Sequence, residues 1–347
     1  MTKLTDLCDI QYGYAFDSGA FTDDETYPQL VRIRDVKRGY SETYYSGDYP
    51  KEYVLSAGDL LIGMDGEFNI ARWKVDGALL NQRVCKIVAK DNADEEFLRF
   101  ALSKALKTIE DRTSFATVKH LSAKELNKLK IIVPPYDEQR KIAEILHRLE
   151  GVIESRQNEL DSLDELIKAR FVEMFFDKGY PVLGWNDVFN TTTGKLDSNA
   201  MVEDGEYPFF TCAKEVFRID KYAFDQEALL LAGNNAAGKY DVKYYKGKFN
   251  AYQRTYVLGL KQKWSYRLFQ YQLEDKLVYL QQQSLGGLTK YLTMKILGDL
   301  SFIIPPMDKQ IEFEQFVQQV DKSKVAVHKA LDEAQLLFDS LMQDYFE

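Results

Sequence analysis

Two stretches of the chain carry a seven-residue repeat of apolar positions. In the first, Leu146, Ile153, Leu160, Ile167 and Met174 recur every seven residues, and Ile142, Leu149, Arg156, Leu163 and Arg170 fill the alternate seam. In the second, Val317, Lys324, Leu331, Phe338 and Tyr345 alternate with Phe313, Val320, Val327, Ala334 and Leu341. A 3-4 spacing held over five heptads predicts two long helices with coiled-coil seams. Apart from Gly151, neither stretch contains Gly or Pro. Pro134-Pro135 and Pro305-Pro306 stiffen the entries and disfavour helix before them. Asp137 and Asp308 then stand where a cap or first-turn acid belongs. The polar seam residues Arg156, Arg170 and Lys324 suit a two-helix partnership of fixed register. Because both seams lie in one chain, an intramolecular antiparallel pair is the simplest arrangement, and packing of each helix on its own domain is the alternative. A helix of this length spans ~60 Å, enough for a spacer.

The remaining segments show short β-type runs at Gln29–Ile33, Leu60–Ile62, Val84–Val88, Ala228–Leu231, Thr255–Leu260 and Ser301–Ile304. Gly and Asn/Asp loops separate them. Residues 95–107 and 265–282 are the best helical candidates there. The pattern predicts an α+β class with four segments: 1–136, 137–177, 178–307 and 308–347.

These segments are two copies of one unit. From Gln82 onward, matching residues lie 171 apart: Gln82-Arg83 meets Gln253-Arg254, Lys119 meets Lys290, and Val133-Pro134-Pro135 meets Ile304-Pro305-Pro306. Earlier the offset is larger, Asp6 meeting Asp187 and Gly13 meeting Gly194, which places a net loss of about ten residues in the second copy. Between these regions Gly63-Met64-Asp65-Gly66 is set against Gly233-Asn234-Asn235-Ala236. Two copies are too few for a solenoid. They suit a pseudo-two-fold object presenting two different surfaces.

Composition refines this picture. Hydrophobic content of 45% supports real cores. No apolar run reaches the ~18 residues of a membrane span, and the first residues lack the apolar region of a secretory signal. Cys8, Cys85 and Cys212 are scattered, so disulfides and zinc are not expected. A cytoplasmic location is. The net charge of -9 hides a division. Residues 137–177 carry 6 basic and 11 acidic side chains and residues 308–347 carry 4 and 9, whereas residues 178–307 carry 16 against 13. The acidity lies in the helical stretches, and a nucleic-acid contact elsewhere is compatible with the total.

The sequence Ile132-Val133-Pro134-Pro135-Tyr136-Asp137-Glu138-Gln139 and its copy Ile303-Ile304-Pro305-Pro306-Met307-Asp308-Lys309-Gln310 resemble the conserved regions of type I restriction-modification specificity subunits. So do the helix ends around Phe171–Phe175 and Leu341–Phe346. Lys309 departs from the family's acidic residue, and the chain is short for the family. The resemblance covers essentially the whole chain and implies two target-recognition domains, each followed by a long helix, the two helices pairing as an antiparallel coiled coil. It further implies that each domain reads one half of a split, asymmetric site in double-stranded DNA. The helices would dock two methyltransferase subunits and set the spacing between half-sites, and motor-nuclease subunits would complete the complex. On this reading the chain itself is non-catalytic. S-adenosylmethionine, ATP and Mg2+ would belong to partner subunits.

Three strings imitate catalytic motifs. Val133-Pro134-Pro135-Tyr136 lacks the Asn or Asp that an amino-methyltransferase needs to hold its target amine. Gly233 to Tyr240 imitates a phosphate loop, but Tyr240 stands where Ser or Thr must ligate magnesium, and a strand-like run follows where a helix should begin. Glu274-Asp275-Lys276 has a nuclease-like ending without a partner Asp. His120, His147 and His328 fall on no common element, so no metal or nucleophile constellation is expected. An enzyme is therefore disfavoured, and the rival is a scaffold whose duplicated domains bind protein or glycan.

Candidate DNA contacts are places where basic and aromatic residues interleave. They are Arg32, Arg34, Lys37, Arg38 and Tyr40; Arg72, Trp73, Lys74 and Arg83; and Lys239, Lys243, Tyr244, Tyr245, Lys246, Lys248, Tyr252 and Arg254. Phosphate contacts need Lys or Arg on backbone-rich loops, whereas base reading needs Arg, Asn, Gln or aromatic groups reaching a groove. The polar loops 114–119 and 284–290, ending in Lys119 and Lys290, suit phosphate anchoring.

Overall fold

The computed structural model describes residues 1–112, 119–236 and 238–346. The chain divides into two units, Met1–Gln157 with Lys329–Glu347, and Asn158–His328. The division falls inside the long helices, Tyr136–Phe175 and Met307–Phe346, so each unit takes part of both.

The first unit is built on a four-stranded antiparallel sheet ordered Cys8–Tyr12, Val84–Ala89, Leu60–Gly63, Ile70–Arg72. The strand Leu60–Gly63 is buried on both faces, which is why it reads as an apolar run rather than an alternation. Leu60 and Ile62 join a core with Phe97, Phe100 and Leu102 of the helix Glu95–Arg112, while Leu61 joins Val31, Trp73 and Leu80 on the other face.

The second unit repeats these four strands in the same order: Phe189–Thr193, Thr255–Leu260, Phe224–Ala232 and Val242–Ala251. Its sheet then continues through Tyr207–Phe210, which lies parallel to Val242–Ala251, and Phe217–Ile219. Leu229 and Leu231 face Trp185 and Phe269, whereas Ala228 and Leu230 face Phe210 and Phe249.

Strand register locates the difference between the copies. Ile10 and Leu60 both oppose Ile87; Thr191 and Leu229 both oppose Leu258. Ile10 therefore answers to Thr191, an offset of 181, and Leu60 to Leu229, an offset of 169. The loss lies before the strand Phe224–Ala232 and exceeds the net figure visible in sequence, because small insertions follow it.

Three local expectations change. The strand over residues 29–33 shrinks to Leu30–Val31 and gives way to a 3-10 turn, Ile33–Asp35. The buried Asp35 carboxylate accepts the Arg32 backbone N–H at 3.0 Å and the Ser41 hydroxyl at 2.8 Å. That local bonding competes with strand pairing. The helix over 95–107 extends to Arg112. The single helix over 265–282 is two, Tyr266–Asp275 and Leu277–Gln283, interrupted at Lys276.

Along both long helices every seam position is buried or half-buried, while Val152, Leu166, Val172, Val325, Leu336 and Leu337 lie exposed. The 3-4 pattern is thus a burial pattern. In the first unit Ile142 and Leu146 share a core with Met342, packed against Phe338, Leu341 and Tyr345. In the second, Ile167 and Met174 share one with Phe313, Val317 and Val320. There Arg170 pairs with Glu312 at 2.6 Å and Lys324 with Asp164 at 2.5 Å. Numbers rise on one helix as they fall on the other, so the segments run antiparallel within the unit. The expected alternative also holds in part, because Ile142 and Leu146 of the first long helix join the core of Phe97 and Phe100 in the domain that precedes it. The end of the second long helix packs there too, Phe338 and Phe346 contacting Phe100 and Phe97. Among the described residues no helix is long and apolar enough to cross a membrane.

Candidate nucleic-acid interface

Each unit assembles the same site from three separated segments. In the first these are Met64-Asp65-Gly66, the turn Gln82-Arg83, and Lys119-His120-Leu121. The Met64 N–H donates to the Arg83 carbonyl at 2.8 Å, the Leu121 N–H to the Met64 carbonyl at 2.7 Å, and the Gly66 N–H to the Lys119 carbonyl at 2.9 Å. Asp65 faces His120 across an isolated bridge. In the second unit the Gly233 N–H donates to the Arg254 carbonyl and the Leu292 N–H to the Gly233 carbonyl, both at 2.8 Å. Asn234 and Asn235 pair with Tyr291 and Lys290.

This bonding corrects the loop correspondence by one residue. Gly63 opposes Val84 just as Ala232 opposes Thr255, so Met64 answers to Gly233, Asp65 to Asn234 and Gly66 to Asn235. Matching glycine to glycine was misleading because Gly63 lies within the strand. Gly233 has its own reason to be glycine. A Cβ there would stand 2.3 Å from the Arg254 carbonyl oxygen.

The two sites differ in charge. Asp65 lies between Arg83, paired to its Oδ2 at 2.5 Å, and His120, whose Nδ1 is 2.5 Å from its Oδ1. Arg83 adopts a left-handed φ of 71°, which holds it at the tip of its turn. In the second unit the carboxylate is replaced by Asn234. Arg254 is exposed and makes no side-chain hydrogen bond or ion pair among the described residues. Beside it lies a cleft of about 280 Å³ lined by Thr193, Gly233, Gln253, Arg254, Tyr256 and Leu292. The Cys212 thiol is 3.4 Å from the Arg254 carbonyl oxygen.

The other candidates divide into accessible and engaged cations. Arg32, Arg34, Lys37 and Lys74 retain exposed surface. The Lys74 stem lies against Gly39, and its N–H donates to the Gly39 carbonyl, so the groups around 32–40 and 72–74 meet in space. Arg38 is held by Asp35 and Glu42, its guanidinium over Tyr40. Arg72 is a correction. It bonds Glu95, Glu96 and the Gly58 carbonyl, and so clamps the helix Glu95–Arg112 to the sheet rather than offering a free cation. Lys119 pairs with Glu110 at 2.8 Å. Residues 114–118 of its loop lie outside the described residues.

Lys243 is the second correction, since its ammonium is held by Asp241 and the Ala213 carbonyl. Strand alternation puts it on the face opposite Tyr244, Lys246 and Lys248, so the basic run is split between two faces. Lys246 pairs with Glu227 at 3.4 Å, and the Lys248 ammonium stands 4.7 Å from the Tyr222 ring centroid. The Tyr244 hydroxyl donates to Glu227 at 2.7 Å; burial and that carboxylate push its pKa up to about 12. Tyr244 is therefore a packing residue. Lys239 and Lys290 both border the Asn234-Asn235 segment.

The phosphate-loop imitation, residues 233–240, connects antiparallel neighbours, as a hairpin does. No group of three or more His, Cys, Asp or Glu side chains among the described residues is placed to hold a metal ion. Sequence reasoning set His120 aside and missed its partnership with Asp65. The available signal was its position, directly after Lys119, as Tyr291 follows Lys290.

Comparison with known proteins agrees with the repeat. The family described as type I restriction modification DNA specificity domain matches residues 1–165 and again residues 179–335. The specificity subunit of the type I restriction enzyme EcoBI from Escherichia coli is 40% identical over 167 residues, 48% of this chain and 35% of that protein. The EcoDI specificity subunit from Escherichia coli is 36% identical over 150 residues, 41% of this chain and 32% of that protein. The matched stretch thus spans about a third of the length of these curated relatives. A crystal structure of the type I restriction-modification system S subunit from M. genitalium superimposes with a TM-score of 0.65, at 16% identity, over 99% of this chain and 95% of that one. A structure reported for complex assembly and conformational transition of the type I R-M system gives 0.52, at 17% identity, over 99% and 96%. These two likenesses concern the fold. With the same specificity domain matched twice along its length, the chain belongs to the type I restriction-modification DNA specificity family.

Proposed function

We propose that the chain is the sequence-reading subunit of a type I restriction-modification complex, each unit reading one half of a bipartite, asymmetric site in double-stranded DNA. The observation that carries this reading is the three-segment site, built twice with the same backbone bonds but different side chains at its rim. A shared frame with altered surface groups suits two readers of different sequence. The acidic long helices suit protein partners, two methyltransferase subunits in the first instance, and they set the gap between half-sites. The chain is non-catalytic on its own and works in the cytoplasm. Methyl transfer would use S-adenosylmethionine held by the methyltransferase subunits. ATP and Mg2+ would be used by motor-nuclease subunits where these join.

Titration of duplex DNA onto the chain, with and without a co-expressed methyltransferase, tests this directly. Affinity falling steeply as salt rises, with a preference for particular duplexes, is the expected result. Absence of DNA binding by the assembled complex, or binding of a protein or glycan instead, would replace this reading with the scaffold alternative.

A further inference from the structure

The turn Gln82-Arg83 and its copy Gln253-Arg254 occupy the same place in the two sites, but the carboxylate that pairs with Arg83, Asp65, is replaced by Asn234 beside Arg254, and the nearby Asp197 carboxylate accepts from Gln253 at 3.4 Å. We infer that Arg254 is a base-reading, specificity-determining residue of the second unit, and that Asp65 withholds the equivalent Arg83 from that role in the first. The inference rests on the DNA reading proposed above and goes beyond it by assigning which groups discriminate.

Arg254 has what base reading requires. Its guanidinium is exposed and free of ion pairs among the described residues, on a turn whose backbone is tied to Gly233. Gln253 and Asn234, of the same site, bring planar amides, each with a donor and an acceptor. Arginine forks onto guanine, and Asn or Gln onto adenine, through paired hydrogen bonds set by a planar geometry that an ammonium lacks. The lysines nearby, Lys239 and Lys290, supply charge suited to phosphate instead.

In the first unit the same arginine is held. Asp65 pairs with it and is itself engaged by His120, and the Asp65 side chain is only 17% exposed against 53% for Arg83. For Arg83 to bind a base it would have to leave a carboxylate that would then face polyanionic DNA. The first unit therefore reads without a free arginine here. Replacing the carboxylate by an amide of the same shape should release it.

The test is selection of duplexes from a random library by the full chain assembled with its methyltransferase subunit. Arg254→Lys keeps the charge and removes the fork. It should reduce preference at one or two base positions of one half-site by about tenfold or more, leaving the other half-site and total binding to unselected DNA little changed. Asp65→Asn should create or strengthen a preference in the other half-site, and the double change Asp65→Asn, Arg83→Lys should remove it. Arg254 is exposed and Asp65 is half-buried, and an unchanged melting curve verifies the fold of each variant. Uniform weakening by Arg254→Lys with no change of preference would make Arg254 a phosphate contact and overturn the assignment. An Asp65→Asn variant that selects the wild-type sequences would overturn the second half. A wild-type complex that selects no sequence would remove the DNA reading itself, an outcome separate from either.

Discussion

The side-chain oxygen of Gln139 accepts the backbone N–H of Asp94 at 2.9 Å. Asp94 in turn accepts the Phe97 N–H, capping the helix Glu95–Arg112, and the Gln139 amide donates to the Pro134 carbonyl. Gln310 repeats the arrangement: it accepts the Ser265 N–H at 3.0 Å and donates to Pro305, while Ser265 caps Tyr266–Asp275. Both glutamines are 1% exposed. This is why the diproline and the glutamine recur together. The prolines direct the chain into the long helix, and the glutamine locks the first turn onto the cap of the domain's own helix.

Removing the amide should therefore destabilise one unit. Gln139→Leu leaves the Asp94 N–H and the Asn92 and Pro134 carbonyls without this partner, at ~1–3 kcal/mol for each buried group so left. Urea unfolding should show a decrease of ~2–4 kcal/mol, the net of several such groups, some reached by water. A variant as stable as the parent would mean that this bonding is not structural.

Acid should act on the first unit through Glu96. Burial disfavours its charge, but bonds from Arg99 and Arg72 outweigh this and hold its carboxyl below the ordinary range. A depressed folded pKa gives stability that is present above the unfolded value of ~4.3 and is lost as pH falls through the folded one. Melting temperature should drop below about pH 4.3, and Glu96→Gln should flatten that limb while lowering stability at neutral pH. An unchanged acid limb would remove Glu96 from the account.

Thiol chemistry should separate the three cysteines. Burial, helped by the Asp9 charge for Cys8, pushes Cys8 and Cys85 up to about 12. Neither should react with a maleimide in the native protein at neutral pH. Cys212, partly exposed beside the Arg254 carbonyl, should react. Bound duplex should slow that reaction, and an unaltered rate would show that DNA lies elsewhere.

Engaged and accessible cations should differ in their salt dependence. Neutralising Lys239 and Lys290 should lower the slope of log affinity against log salt by up to ~0.9 for each phosphate no longer neutralised. Arg72→Met should instead lower stability and leave the slope unchanged, because Arg72 bonds Glu95 and Glu96. The reverse pattern would invert the assignment of these residues.

What the sequence made legible follows from the range of the physics involved. The heptad seams were readable because burial along a helix has a fixed period, and Leu146 to Met174 and Phe313 to Tyr345 keep it. The duplicated domains were readable because whole motifs recur at one offset. Charged side chains were not, since their partners lie far away in sequence. Arg72 meets Glu95 and Glu96, and Asp65 meets both Arg83 and His120, through pairings that no local pattern encodes. Lys243 looked like its neighbours until strand alternation turned it to the other face. The one-residue slip between Met64 and Gly233 arose because only backbone bonding, not glycine content, fixes the loop register.

The central claim is that two independent readers of DNA share one chain. Residues 178–307 lie wholly within the second unit. Exchanging them for the corresponding segment of another family member, and sequencing the methylome of cells carrying the chimera with its methyltransferase, tests this most directly. One half-site should change and the other remain as in the parent. A methylome in which both halves change together, or neither does, would contradict independent readout.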